Sequence, residues 1–177
     1  MRSAAMMQAS KFQTPLGEIR SLATASGLAA VYFPRQAERI EAKLSPGGLQ
    51  RGHGNISLLQ AEAFLACYFD GDLDYAPEIA LDLRGTPFQV SVWRALEAIE
   101  PGSTETYGQL ATRLGRPKAI RAVAAAVGQN PVSILLGCHR VIGADGALTG
   151  YAGGLSAKRY LLDHERRYRD GPGVVTA

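Results

Sequence analysis

Apolar and polar residues alternate along the first part of the chain, and turn-forming residues interrupt the alternation. In KFQTPLGEIRSLATASGLAAVYFP (residues 11–34) the breaks fall at Pro15–Gly17 and at Ser26–Gly27. A period of two is typical of β-strands, and glycine or proline between alternating runs indicates hairpins. We therefore predict hairpin-linked strands here, and one more strand in APEIALDL (residues 76–83).

Two other stretches of the same region follow a helical period instead. ERIEAKL (residues 38–44) predicts a short helix, and ISLLQAEAFLACYFDGDL (residues 56–73) places apolar residues three and four positions apart. The intervening SPGGLQRGHGN (residues 45–55) is rich in glycine and predicts a loop. Residues 1–83 are thus expected to form an α/β domain, with an antiparallel sheet plus helices.

From residue 84 onward the pattern is mainly helical. RGTPFQVSVWRALEAI offers Thr86 as an N-cap and Pro87 as the first helical residue. Two helices follow in TYGQLATRLG (residues 106–115) and AIRAVAAAVGQ (residues 119–129). Their short, glycine-containing connection predicts a helix-turn-helix, although a packed helical hairpin has the same spacing. We predict a second, mainly helical domain over residues 84–177.

Composition and charge narrow the function classes only slightly. Hydrophobic residues make up 46% of the 177 residues and the net charge is +3, which suits a globular protein and allows a polyanionic partner. With two cysteines no disulfide framework is expected, and few thiols suit a reducing cytosol. No apolar run is long enough for a membrane span, and MRSAAMMQAS lacks the apolar stretch of a signal peptide. A soluble, cytoplasmic protein is expected.

The candidate chemistry lies in GCHR, where Cys138, His139 and Arg140 follow an apolar run. A thiol acts as a nucleophile only as the thiolate, so it needs a base. Adjacent side chains in extended chain point to opposite faces, so His139 would act on Cys138 through a bridging water. Glu165 is a candidate to orient the histidine. From spacing alone, a buried structural cysteine is the more common arrangement, and Glu165 and His164 are expected to be solvated.

The helix in AIRAVAAAVG carries small residues and a single charge, Arg121. Helices that read DNA in the major groove usually carry several long polar side chains. This helix is therefore either buried or suited to lie close against the shallow minor groove, with Arg121 inserted into the base stack. The second alternative fits a protein that flips a base out of the duplex.

Several of these segments occur together, in the same order, in one known family. GTPFQVSVWRAL, TYGQLATRLGRPKAIRAVAAAVGQNP, GCHRVIGADGALTGYAGG and KRYLLDHE resemble the O6-alkylguanine-DNA alkyltransferases over residues 84–166. FQTPLGEI and GLAAVYFP are similar to the N-terminal domain of that family. The resemblance implies a ribonuclease H-like α/β domain, followed by a helical domain that binds the minor groove of DNA.

The resemblance also implies an activity, which is the irreversible transfer of an alkyl group from O6-alkylguanine in double-stranded DNA to the protein's own cysteine. Each molecule acts once, the damaged base is flipped into the site, and neither a diffusible cofactor nor a metal is required. The protein is expected to act as a monomer and away from membranes. Activity on O4-alkylthymine and cooperative assembly on DNA are left open.

The resemblance assigns roles residue by residue. Cys138 is the alkyl acceptor, His139 the water-bridged base and Glu165 the group that orients it. Asn130 holds the turn and the strand that carry the thiol, while Tyr107 contacts the target phosphate and the flipped base. The substrate-binding residues implied are Tyr107, Val141, Tyr151, Ala152 and Gly153, with the N–H of Ala152 donating to O6 and the carbonyls of Cys138 and Val141 accepting from the exocyclic amine. The DNA-binding residues implied are Tyr107, Arg121, Ala122, Ala124 and Ala125.

One residue departs from the family pattern, because Gly137 stands where proline usually precedes the cysteine. Proline fixes φ at about −65° and removes one N–H. If Gly137 has such a φ and an unpaired N–H, Gly137→Pro is expected to stabilise the protein through the unfolded state and to hold Cys138 closer to its attack geometry.

Three other functions compete with alkyl transfer. A non-catalytic alkyltransferase-like lesion binder would share the fold, but in such proteins the cysteine is replaced. A cysteine hydrolase needs a histidine in direct contact with the thiol, and adjacent residues are poorly placed for that. A metal site built from the cysteines and histidines is not supported, because the following residues have no recognisable ligand spacing: His53, Cys67, Cys138 and His139.

Overall fold

Three antiparallel strands open the fold in the computed structural model, which describes residues 7–45, 48–52 and 54–169. Gly17 and Gly27 begin the second and third strands with φ angles of 94° and 148°, which residues with a side chain rarely adopt. The predicted hairpins are confirmed. The strands are β1 (Met7–Thr14), β2 (Gly17–Thr24) and β3 (Gly27–Tyr32).

A fourth strand, β4 (Leu49–Arg51), lies beside β1 and runs parallel to it. The strand order is β3-β2-β1-β4, so the sheet is mixed, and the prediction of an antiparallel sheet is wrong at this edge. The prediction of a loop over residues 45–55 is wrong for the same short stretch. Three residues among glycines are too few to show an alternating pattern, and their pairing depends on β1 rather than on local preference.

The outer edge of β3 pairs with two separate segments of the chain. Leu28 forms an isolated parallel bridge with Leu81, and Val31 forms another with Val132. Residues 76–83, predicted as a strand, therefore contribute one bridge instead of a ladder. Because β3 has only six residues and both segments use it, neither has room to extend its pairing.

Two helices cover the sheet at positions close to those predicted. α1 (Ala37–Leu44) packs against one face, where its Ile40 joins a small apolar cluster. α2 (Ile56–Asp70) packs against the other face as part of the main core. The Asn55 side chain accepts hydrogen bonds from two N–H groups of the first turn of α2, and Gly71 ends this helix with a φ of 95°. The two helix predictions are confirmed.

The second half of the described chain is mainly helical. Thr86 and Thr106 cap the first two helices through their side-chain oxygens, and a glutamine three residues later completes each capping box. The predicted caps are confirmed. The helices are α3 (Pro87–Leu96), α4 (Tyr107–Arg113), α5 (Ile120–Gly128) and α6 (Leu155–Arg169). Two short parallel strands accompany them, β5 (Glu105–Thr106) and β6 (Val141–Ile142).

One hydrophobic core connects the sheet with these helices. Trp93 is fully buried and donates from Nε1 to the carbonyl of Ala126 at 2.8 Å, which ties α3 to α5. Leu28 and Val31 of β3 belong to the same cluster of buried side chains. The molecule is therefore an α/β part followed by a helical part, while a domain boundary between residues 83 and 84 stays a prediction. Within the described ranges, no helix is long and apolar enough to cross a membrane.

Candidate active site

Cys138 begins a single 3₁₀ turn, Cys138–Arg140, and is 6% exposed. Its N–H donates to the carbonyl of Leu136 at 2.6 Å. The expectation of an extended strand at the thiol is wrong, since the residues before it form turns with one isolated bridge. Because a 3₁₀ helix has about three residues per turn, the three side chains of the turn leave it in different directions, and all three are buried.

Asn130 ties together the segment that leads to the thiol. Its Nδ2 donates to the carbonyls of Val132 at 3.2 Å and Leu136 at 3.3 Å, and its Oδ1 accepts from the N–H of Val132 at 3.0 Å. The same segment is bonded to β3, because the N–H of Val31 donates to the carbonyl of Pro131 at 2.9 Å. A strand of the sheet therefore supports the loop that carries the thiol.

Backbone strain is stored in the middle of this loop. Ile134 is fully buried and has a φ of 71°. A left-handed backbone at a β-branched residue costs about 1–3 kcal/mol and persists only where the surroundings fix it. Asn130 and β3 fix the loop on either side of Ile134. The backbone before the thiol is thus held in one conformation.

His139 is fully buried and contacts Glu165, with 2.6 Å between its Nε2 and the Oε1 of the carboxylate. Burial lowers the pKa of His139, while the charge of Glu165 acts in the opposite direction. A neutral imidazole that donates from Nε2 keeps Nδ1 as its acceptor. Nδ1 is buried and has no hydrogen-bond partner among the described residues. The ring therefore offers an open proton acceptor on its other nitrogen.

Glu165 is fully buried among hydrogen-bond donors. Arg140 donates from Nη2 to Oε1 at 2.8 Å, and the N–H of Gly102 donates to Oε2 at 2.9 Å. The hydroxyl of Tyr68 donates to Oε1 at 2.9 Å. Burial would raise the pKa of Glu165, but His139 and Arg140 together hold it well below its usual range. The expectation of a solvated Glu165 is wrong, and the carboxylate is fixed in its charged form.

Sequence reasoning missed the contact of this carboxylate with Tyr68 and misplaced His164. Tyr68 lies 97 residues before Glu165, so no local pattern connects them. The position of Tyr68 on the apolar face of α2 indicated packing and gave no sign of a polar role. His164, expected to be solvated, is 6% exposed, and its Nε2 lies 2.6 Å from the backbone oxygen of Tyr68. That expectation is also wrong, because α2 covers this side of α6.

A buried lysine lies on the other side of the thiol. Burial raises the pKa of Cys138, and Asn130 and Lys158 act against this rise. Lys158 is fully buried and donates from Nζ to the carbonyls of Val141 at 2.6 Å and Thr149 at 2.8 Å. Burial lowers the pKa of Lys158 to about 8. Sequence reasoning gave Lys158 no role, since a lysine on a surface helix is usually solvated.

The glycine-rich loop before α6 brings Tyr151, Ala152 and Gly153 to the same site. The ring centroid of Tyr151 is 6.4 Å from that of His139 and 6.1 Å from that of Phe33. A Cβ on Gly153 would lie 2.7 Å from the rings of Phe33 and Tyr151, so only glycine fits there. Within the described chain, the N–H of Ala152 donates no hydrogen bond, and the buried hydroxyl of Tyr151 has no partner of good geometry.

Tyr107 connects this site to the helix pair. It opens α4 directly after β5, and β5 pairs with β6, which follows the 3₁₀ turn of the thiol. Its hydroxyl is 3.4 Å from the carbonyl of Thr149, a long contact for a hydrogen bond. Burial raises the pKa of Tyr107, so the hydroxyl stays protonated and able to donate.

The second helix of the pair presents small residues on its outer face. The buried side of α5 consists of Val123, Ala126 and Val127, which pack into the core. The alternative of a simply buried helix is wrong for the opposite face, which is open to solvent. The exposed or half-buried residues of α5 are Ile120, Arg121, Ala122, Ala124, Ala125 and Gly128.

These features define a class of site, namely a buried thiol beside an imidazole with one open nitrogen and a fixed carboxylate. The structure brings four of the predicted residues into this buried cluster: Asn130, Cys138, His139 and Glu165. Arg121 lies apart from them, on the outer face of α5. The buried cluster around Cys138 and the outer face of α5 are thus separate, and Tyr107 at the start of α4 lies between them.

Comparison with known proteins points to a family of proteins that carry a reactive cysteine. Residues 87–167 match the family described as 6-O-methylguanine DNA methyltransferase, DNA binding domain. A methylated-DNA–protein-cysteine methyltransferase of Salmonella typhimurium is 43% identical over 159 residues, which cover 88% of this chain and 93% of that protein. A protein of the same name from Methanosarcina acetivorans is 42% identical over 154 residues, which cover 87% of this chain and 95% of that protein.

The fold agrees with these sequence matches. The crystal structure of Mycobacterium tuberculosis OGT in complex with DNA aligns with a TM-score of 0.80 and 38% identity, covering 91% of this chain and 94% of that one. The chain therefore belongs to the methylated-DNA–protein-cysteine methyltransferase family.

Proposed function

We propose that this protein repairs DNA by transferring the alkyl group of O6-alkylguanine, irreversibly and once per molecule, to the Sγ of Cys138. The observation that carries the proposal is the open Nδ1 of His139, a buried acceptor whose other nitrogen is fixed by Glu165. The name of the Salmonella typhimurium relative supports alkylated DNA as the substrate and a cysteine as the acceptor.

In the reaction, the thiol of Cys138 gives its proton to Nδ1 of His139 through one bridging water, and the thiolate attacks the alkyl carbon. The S–C bond forms while the C–O6 bond breaks, and the electron pair of the broken bond stays on the guanine. The guanine takes a proton from the hydroxyl of Tyr107. The Tyr107 oxygen then regains a proton from the imidazolium of His139 through solvent. The products are a thioether at Cys138 and an unmodified guanine.

Glu165 and Asn130 prepare the groups for this step. The charge of Glu165 stabilises the imidazolium that forms when His139 accepts the proton. Asn130 fixes the loop that carries the thiol through hydrogen bonds to two of its carbonyls. Because these contacts exist before the substrate arrives, little reorganisation is needed during the reaction.

Backbone groups around the thiol would recognise the flipped guanine. The open N–H of Ala152 would donate to O6, which makes the guanine a better leaving group. The carbonyls of Cys138 and Val141 would accept from the exocyclic amine, since each now accepts one hydrogen bond and has a second lone pair. Tyr151 would form a wall of the pocket, and Gly153 would leave room for the base.

The pair α4–α5 would act as a helix-turn-helix placed in the minor groove. The small residues on the outer face of α5 would let its backbone approach the DNA closely, and Arg121 would fill the space that the flipped base leaves. Tyr107, at the start of α4, would crowd the phosphate of the target nucleotide. The small residues in contact with DNA would be Ala122, Ala124 and Ala125.

Several further expectations belong to the same proposal. The N-terminal α/β part is of the ribonuclease H-like type, and the protein works as a monomer on double-stranded DNA in the cytoplasm. It requires no cofactor and no metal. Activity on O4-alkylthymine and cooperative assembly on DNA are the two extensions that direct assays would decide.

A non-catalytic lesion binder on the same fold is not favoured. Such a protein would use neither a thiol nor a base. Here Cys138 is followed by His139, whose open nitrogen and fixed partner suit a proton transfer from the thiol.

The proposal is tested by incubating the protein with duplex DNA that contains O6-methylguanine and measuring the intact mass of the protein. We expect one added CH2 group, mapped to the peptide with Cys138. Cys138→Ser should abolish transfer and retain DNA binding. Cys67→Ser, which removes the other cysteine, is the matched control and should transfer normally. Methyl removal by Cys138→Ser, or an adduct at another residue, would refute the proposal.

A further inference from the structure

Tyr68 belongs to the N-terminal α/β part, yet its side chain ends inside the candidate active site. It lies on α2, is 2% exposed, and donates from its hydroxyl to Oε1 of Glu165 at 2.9 Å. The same oxygen lies 2.6 Å from Nε2 of His139. Tyr68 and His139 therefore share one carboxylate oxygen.

The neighbours of Tyr68 hold its hydroxyl in this place. Its ring lies 5.9 Å from that of Phe64, 5.2 Å from that of Phe69 and 5.1 Å from that of His164. Its backbone oxygen is 2.6 Å from Nε2 of His164. Burial raises the pKa of Tyr68 well above its usual value, so the hydroxyl stays protonated and donates to the carboxylate.

We propose that Tyr68 is a positioning residue for alkyl transfer, which limits how strongly Glu165 attracts the proton of His139. Each donor to a carboxylate oxygen stabilises its negative charge and weakens its pull on other protons. Tyr68 thereby helps to keep His139 neutral and ready to accept the proton of the thiol. The inference rests on the proposed roles of Cys138, His139 and Glu165.

Other groups also influence the pKa of His139, and they stay in place when only the hydroxyl of Tyr68 is removed. The charged or titratable groups that face His139 are Cys138, Arg140, Tyr151, Lys158 and Glu165. The charges of Arg140 and Lys158 lower the pKa of His139, and that of Glu165 raises it. Arg140 and the N–H of Gly102 still hold Oε2 of Glu165. Loss of the Tyr68 hydroxyl therefore changes the pKa of His139, while the carboxylate of Glu165 stays in place.

Tyr68→Phe is expected to raise the pKa of His139, because Glu165 then holds its proton more strongly. His139 accepts the proton of the thiol only while it is neutral, that is, above its pKa. The acidic limb of the rate-pH profile should therefore move to higher pH. A rise of about half to one pH unit gives a roughly three- to tenfold slower transfer on the acidic side, with a rate within about twofold on the plateau above it.

Two measurements on the full chain test the inference. The histidine side chains are titrated by NMR, and single-turnover methyl transfer from duplex DNA with O6-methylguanine is followed across pH. His164 is an internal control, because it contacts the backbone oxygen of Tyr68, which phenylalanine keeps. Tyr160→Phe is the matched variant, since Tyr160 stacks on His164 at 5.9 Å and donates no hydrogen bond to Glu165 within the described chain.

The expected result for Tyr68→Phe is a higher titration midpoint for His139, only a small change in chemical shift for His164, whose ring lies against that of residue 68, and slower transfer only at low pH. Tyr160→Phe should show none of these changes. An unchanged midpoint for His139, equal displacement of both histidines, or a rate that falls equally at every pH would overturn the inference. Absence of methyl transfer in the unaltered protein would instead refute the proposed function, and the NMR titration would still decide the role of Tyr68.

Discussion

The carboxylate cluster around Glu165 and the outer face of α5 differ in how their polar groups are satisfied. Both oxygens of Glu165 accept hydrogen bonds from buried or half-buried donors, and the donors come from three separate parts of the chain, represented by Tyr68, Gly102 and Arg140. The outer face of α5 consists mainly of alanines around one exposed arginine, Arg121. One region is closed and its carboxylate is fully hydrogen-bonded, whereas the other is open to solvent.

The difference matches the two tasks proposed for these regions, which are alkyl transfer and DNA binding. A closed cluster with a fully hydrogen-bonded carboxylate fixes the charge of that carboxylate, so a change there should affect both stability and proton transfer. An open face of small residues adds little to stability, so a change there should be felt only when DNA is bound.

Glu165→Gln should have the largest effect. Removing one charge of a buried pair leaves Arg140 uncompensated, and such changes cost about 3–5 kcal/mol of folding free energy. We also expect a transfer rate about 10²–10⁴-fold lower, because His139 loses the charge that stabilises its protonated form. Urea unfolding at neutral pH and single-turnover kinetics measure the two effects.

The pH dependence gives a second test of the same variant. The pKa of Glu165 is lower in the folded protein than its unfolded value of about 4.3. Its contribution to stability is therefore present above about pH 4.3 and is lost as the pH falls toward the folded pKa. Glu165→Gln should lose less stability than the unaltered protein in this acidic window. Glu97→Gln, which alters an exposed pair with Arg94, is the matched control and should leave stability and transfer almost unchanged.

Arg121→Ala should have an intermediate effect that appears only on duplex DNA. Flipping a base costs a few kcal/mol, and Arg121 is proposed to offset part of this cost. We expect about tenfold slower repair of duplex DNA, which corresponds to about 1.4 kcal/mol, and an unchanged rate with free O6-benzylguanine. Arg94→Ala, on the exposed side of α3, serves as control. Equal losses on the duplex and on the free base would remove the distinction between the two regions.

Gly137→Pro should change the free energy of unfolding by the difference between two opposing terms. Gly137 has a φ of −65°, and its N–H donates no hydrogen bond within the described chain, so both conditions for a stabilising proline are met. A Cβ at this position, however, would lie 2.7 Å from Cδ of Arg140 and 2.8 Å from its Nη1. Arg140 cannot easily move, because Nη1 donates to the carbonyl of Ile99 at 2.6 Å.

The cost of the clash with Arg140 should therefore exceed the stability that proline gains by restricting the unfolded chain. Proline gains about 0.4–1 kcal/mol from a less flexible unfolded chain, whereas overpacking a core costs about 1–3 kcal/mol. We expect Gly137→Pro to lower the free energy of unfolding by up to about 2 kcal/mol, and Gly137→Ala to lower it slightly more, since alanine lacks the proline gain. A proline variant that melts above the unaltered protein would show that Arg140 yields without cost.

The parts of the fold that depend on a few neighbouring residues could be predicted from the sequence. The hairpins of β1–β3 follow from alternation and glycines, and the starts of α3 and α4 follow from Thr86 and Thr106. Elements that depend on a distant partner could not. The strand β4 exists because β1 accepts it, and residues near Leu81 lose their predicted strand because β3 is shared.

The candidate site divides in the same way. Cys138 and His139 are adjacent, so their chemistry was visible in the sequence, but spacing alone favoured a structural cysteine and a solvated Glu165. Glu165 was a candidate from the sequence, and the motif resemblance assigned it the role of orienting His139. Neither spacing nor resemblance pointed to Tyr68, because a tyrosine on the apolar face of a helix predicts packing, and its hydrogen bond forms only after the chain has folded.

The long separation between Tyr68 and Glu165 has a consequence for the order of folding. These residues are 97 positions apart, and α6, which carries Glu165, is the last helix of the described chain. Contacts of this kind form late, because they require most of the chain to be in place. Until α6 docks, His139 lacks its carboxylate and Cys138 is an ordinary thiol without an oriented base. We therefore expect the proposed nucleophile to become reactive only once α6 has docked, so that a molecule that can react only once would not be consumed before it is able to bind DNA.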